Sequence, residues 1–157
     1  MAWTLPSAVA TGDVLTATNW NNAAVAAGGG VVASASRTTS QTGVGTSATD
    51  LTGLSVTFTA TSTRYYRVSV FVPIIIQDTA VGTPTLQITD SAGTVINSAT
   101  VSVQTSYRSP MFAMTFESGL SGSITRKARL LTSNNTCQTL VSSTSPALLI
   151  VEDLGST

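Results

Sequence analysis

Histidine is absent from all 157 residues, which removes the commonest general base, the usual Ser and Cys triads and most transition-metal sites. Histidine-independent chemistry would need paired carboxylates or a Ser-Lys pair. Glu117, Glu152 and Asp153 are the late-chain acids that could flank a glycosidic bond. Beside the C-terminus, however, Glu152-Asp153 reads first as a solvated or hydrogen-bonded strand end. Lys127 is the only lysine. In Thr125-Arg126-Lys127-Ala128-Arg129 alternate side chains face opposite ways, so the charges divide between two faces. Such a segment is expected to be a wet or edge strand that discourages mispairing rather than a phosphate cradle. Asp50, Asp78 and Asp90 sit in turn-like contexts without the dense acidic pattern of a calcium loop. Gly28-Gly29-Gly30 lacks the Lys-Ser/Thr of a phosphate loop and reads as a hinge. Tyr65, Tyr66 and Tyr107 could stack on sugars or pack in strands. No catalytic, cofactor or metal residue is expected, so no cofactor is either.

The composition points the same way. Charged residues make up 9 % of the chain against roughly a quarter in ordinary domains, and seven basic residues balance seven acidic ones. No positive field is available to attract nucleic acid or anionic membrane, and no run of ~18 apolar residues suits a membrane span. Neither partner is expected. A neutral, hydroxyl-rich surface lacks self-repulsion and suits packing against neighbours. Cys137 is the single cysteine, which leaves no intrachain disulfide and is expected to be a buried, inert thiol. The opening residues carry no basic n-region or apolar h-region, so a secretory signal is not expected.

The elements that would position these residues fall into two parts. Residues 1–30 hold both tryptophans, a Pro-containing start and an Ala/Asn-rich stretch. They read as an attachment arm, with a short helix over residues 19–27 capped by Thr16 or Thr18. Trp3, Leu5, Val14, Leu15 and Trp20 are its candidate attachment residues. From there to residue 157 the period is two, the pattern of an all-β body. A Ser/Thr/Gly-rich link runs through Thr49. Leu54, Val56 and Phe58 then alternate on one face, as do Tyr66, Val68, Val70 and Val72.

Residues 71–76 are apolar on both faces, so an arm or a neighbouring subunit is expected to cover that end. Phe71, Ile74 and Ile76 are therefore candidate interface residues. Asp90-Ser91-Ala92-Gly93 predicts a hairpin turn, and Phe112, Met114 and Phe116 alternate strictly. About eight strands at these spacings predict a single antiparallel β-sandwich of jelly-roll type.

Two end segments carry a family resemblance. Ala10-Thr11-Gly12-Asp13-Val14-Leu15-Thr16-Ala17-Thr18-Asn19-Trp20-Asn21 resembles the G-(D/E)-x-(L/V)-T-A-x-x-(W/M)-N opening of tailed-bacteriophage virion proteins, especially minor tail and fibre proteins. Pro146-Ala147-Leu148-Leu149-Ile150-Val151-Glu152-Asp153-Leu154-Gly155 is similar to the terminus of small β-sandwich proteins among phage structural genes. The resemblance implies a non-enzymatic virion component: a head decoration, fibre or minor tail protein made in the host bacterial cytoplasm. It would be held to capsid or tail proteins by its N-terminal arm, and homotrimeric. A receptor module binding host surface glycan is the alternative, and a depolymerase using Glu117 or Glu152 the least favoured.

Overall fold

The computed structural model describes residues 30–156, so the arm residues Trp3, Leu5, Val14, Leu15 and Trp20 and the helix expected over residues 19–27 lie outside the described residues. The rest is an all-β sandwich of ten strands: β1 (Gly30–Arg37), β2 (Gln41–Val44), β3 (Thr49–Ala60), β4 (Arg64–Gln77), β5 (Thr85–Thr89), β6 (Val95–Thr100), β7 (Ser109–Glu117), β8 (Gly122–Leu131), β9 (Cys137–Thr139) and β10 (Ala147–Ser156). The stretch expected to be a link through Thr49 carries β1 and β2. Its small Ala and Ser residues alternate on a strand that packs only lightly on the core, where bulkier residues are not needed.

One sheet, sheet A, runs β1-β10-β4-β9-β2 with β7 also on β4; the other, sheet B, runs β3-β8-β5-β6. Both β10 and β7 pair with the segment from Tyr66 to Phe71 of β4, so they occupy its opposite edges. β9 and β7 both pair with Ile75, which puts β9 on the same edge as β10. The short strands therefore lie end to end: β9 continues the line of β10, and β2, paired with β9, continues the line of β1. Sheet A is thus four strands wide, in the order β1/β2, β10/β9, β4, β7. With each end-to-end pair taken as one interrupted strand, every connection except the β5–β6 hairpin passes from one sheet to the other, which is the jelly-roll path expected from the sequence.

Period-two burial builds the core. Tyr66, Val68, Val70 and Val72 of β4 are almost fully buried and meet Leu54, Val56, Phe58, Leu86, Ile88 and Leu130 of sheet B. Each such side chain contributes roughly 1.5–3 kcal/mol on leaving water. The rings of Phe58 and Tyr66 lie 5.2 Å apart between centroids, and the Tyr66 hydroxyl accepts from the Thr61 amide at 2.9 Å.

Two bulges reset the alternation. Leu51 and Leu54 both point inward because the β3–β8 register shifts between Asp50 and Ser55, where Gly53 adopts a φ of +86° that glycine tolerates. In β4 the shift falls between Val72 and Ile75, around Pro73, which has no N–H for the ladder. After it Ile75 and Gln77 are buried, while Ile74 and Ile76 face outward like Phe71 before it.

The edge-strand expectation for residues 125–129 is corrected. β8 lies between β3 and β5, and its charges are accommodated by pairing. Arg126 points inward and is 6 % exposed; its Nε and Nη2 donate to the two oxygens of Glu117 at 2.9 and 2.7 Å. Lys127 and Arg129, on the outer face, both reach Asp50, at 3.3 and 2.9 Å.

Candidate interaction surface

The two outer faces of the sandwich differ in kind. That of sheet B carries Ser55, Thr57, Thr125, Lys127, Arg129 and Gln87, with the Thr57 and Thr125 hydroxyls hydrogen-bonded across strands at 2.9 Å. This is a surface made for water. The outer face of sheet A is built from outward positions of β10, β4 and β7 in register. Leu148, Phe71 and Phe112 form one row. Ile150, Ser69 and Met114 form the next, and Glu152, Arg67 and Phe116 the third. Beyond the Pro73 bulge Ile74 and Ile76 continue the surface along β4.

Sheet A's face is exposed and apolar together. Phe112 and Phe116 are 53 % and 58 % exposed and Phe71 is 39 %, so three aromatic rings each forgo roughly two-fifths to three-fifths of the ~1.5–3 kcal/mol that full burial would give. Single exposed apolar residues are ordinary, whereas a contiguous rimmed patch marks an interaction site. Its one charged row is internally balanced, with Arg67 and Glu152 paired at 2.7 Å. On its margin β7 is an edge strand. There Asn97 of sheet B donates from Nδ2 to the Met114 carbonyl at 2.6 Å, which occupies one ladder acceptor and blunts the edge for strand addition.

The expected interface residues Phe71, Ile74 and Ile76 are brought to this one face. Phe112, Met114, Phe116, Leu148 and Ile150 belong to it as well and were not singled out as interface residues. Their signal was present: residues 111–114 are apolar at successive positions, and Met111 and Ala113 take the buried side, which leaves Phe112 and Met114 outside.

The residues with chemical potential are not gathered into a second site. Glu117 is engaged by Arg126, Glu152 by Arg67 and Asp153 by Arg64. Asp78 accepts from Thr136 at 2.6 Å and Gln138 at 3.0 Å. The Asp90 carboxylate closes the β5–β6 turn by accepting from the amides of Ala92 and Thr94 at 2.9 and 2.8 Å. Those bonds, led by the Thr94 amide, hold its carboxyl below the usual carboxylate range. No group of three or more His, Cys, Asp or Glu residues able to hold a metal ion occurs among the described residues.

Cys137 is fully buried, and burial pushes its thiol up to about 11, the negative charge of Asp78 adding to the shift. Tyr66 is in the core. Tyr65 opens β4, while Tyr107 follows Ser106, whose amide donates to the Gln77 carbonyl at the far end of that strand, so the tyrosines do not form one stacking platform. No family model and no curated protein matches the chain.

Proposed function

We propose that this protein is a non-enzymatic structural subunit of a tailed-bacteriophage particle, a head-decoration, fibre or minor tail component, held to capsid or tail proteins through residues 1–30. The observation that carries the reading is the aromatic, charge-balanced outer face of sheet A, a surface suited to permanent contact with protein. The end motifs quoted above support the phage context and multi-copy assembly on the virion. Charge-poor composition adds to this, because copies of a neutral subunit crowd together without repulsion.

The arm accounts for attachment: Trp3, Leu5, Val14, Leu15 and Trp20 are apolar groups in a segment that holds a single charged side chain, Asp13. Deleting residues 1–27 leaves every core residue named above in place. The truncated protein is therefore expected to keep its β-type circular dichroism and cooperative melting while losing incorporation into particles, measured by complementing a phage that lacks the full-length protein. Normal incorporation of the truncated form would overturn the proposal.

A further inference from the structure

The outer face of sheet A needs an occupant, and we infer that it is the same face of a second copy of this chain, packed sheet on sheet about a two-fold axis. Three observations carry this. The first is where the exposed apolar groups lie. Val31, Tyr65, Phe71, Phe112, Phe116 and Leu154 all belong to the outer side of sheet A, and the other large exposed hydrophobics, Val81, Val95 and Tyr107, are on loops or on β6. A head-to-tail contact needs two different complementary patches, whereas a two-fold contact needs one patch complementary to itself. The described residues offer one apolar sheet face.

The second observation is charge. Arg67 and Glu152 sit side by side and partly open, with side chains 39 % and 26 % exposed. A two-fold axis running along the strands between β4 and β10 brings Arg67 of one copy against Glu152 of the other, and Glu152 against Arg67. A partner carrying one sign of charge would meet the opposite of what it needs at half of this row.

The third is size. From Arg67 to Ile76 at roughly 3.3 Å per residue, and across four strands about 4.8 Å apart, the outer side of sheet A, with β10, β4 and β7 supplying its apolar part and β1 a margin of Val31, Ser34 and Ser36, measures about 30 by 20 Å. That is on the order of 600 Å², close to the ~800 Å² that each partner commonly buries in a stable complex. Identical twisted sheets also stack at the aligned angle that sandwiches use internally.

The inference rests on the chain being a multi-copy structural subunit. Its test is the mass of the full-length protein at micromolar concentration by light scattering, beside Phe112→Asp and Phe116→Asp, which alter exposed rings and leave the core untouched. The expected result is twice the 16.0 kDa chain mass for the unmodified protein and a single chain mass for both variants, with β-type circular dichroism unchanged. A single mass for the unmodified protein, a threefold mass, or variants that stay paired would each overturn the two-fold contact.

Ser69→Cys supplies a second reading, because Ser69 lies in the middle row of the face. A short bismaleimide should link this variant into dimers. If the introduced thiol becomes reactive only when residues 1–27 are removed, the arm covers the face and the pairing is overturned. Loss of pairing with particle incorporation intact would remove this inference and leave the proposed function standing; the reverse pattern would do the opposite.

Discussion

Arg126 occupies an inward position flanked on its strand by Ile124 and Ala128, and the sandwich tolerates it only because Glu117 satisfies both ends of its fork. With side chains 7 % and 11 % exposed, the pair has little water to fall back on. Removing one partner should therefore cost about 3–5 kcal/mol. Glu117→Ala is expected to lose that much in urea unfolding at neutral pH, and Glu117→Leu combined with Arg126→Met should recover most of it. Gly82 is the other tight position. A Cβ there would lie 2.5 Å from Gln77 Nε2 and 2.9 Å from Thr132 Oγ1, and Gln77 is fully buried, so neither neighbour can swing away. Gly82→Ala should cost about 1–3 kcal/mol by overpacking. The Cys137 thiol, raised from 9.0 to about 11 in the fold, stays protonated where an unfolded thiol ionises. Stability from this group is intact below pH 9 and declines as pH rises toward 11. A thiol reagent at pH 8 should accordingly label Cys137 only after unfolding.

Among the elements, the β5–β6 hairpin was legible because Asp90 and Gly93 state their turn chemistry locally. Asp90→Ala is expected to lower the melting temperature at pH 7. Because the folded carboxyl titrates below its usual 3.8, the gap should persist at neutral pH and close only as pH falls below that value, when the wild-type carboxylate is itself protonated. The face of β3 was equally readable after its bulge, and that of β4 before its own. What escaped was phase. A bulge at Gly53 or Pro73 depends on the partner strand's register, which no local pattern states, and it was Pro73 that aligned Ile74 and Ile76 with Phe71. Strand β7 escaped for a different reason. Being apolar on both sides, it gives alternation without a direction, and only the sheet beneath it decided that Phe112 and Phe116 face outward. The pairing of Arg126 on β8 with Glu117 on β7 was hidden likewise, since the two face each other only after the chain crosses between sheets.

At the scale of the whole molecule, a path in which nearly every connection changes sheet makes contacts between residues far apart in sequence. Such topologies fold in milliseconds to seconds rather than microseconds. Refolding by stopped-flow circular dichroism should fall in that slower range. The pairing of β1 with β10, from Gly30 opposite Asp153 to Arg37 opposite Ala147, also brings the beginning and the end of the sandwich to the same pole. A pull applied between these two points would open the β1–β10 ladder one bond at a time, as a zipper, whereas a load passed across the broad face of sheet A would be shared by several strands together. The sandwich is thus mechanically anisotropic: weak when peeled by its ends, and strong when pressed or sheared through its side.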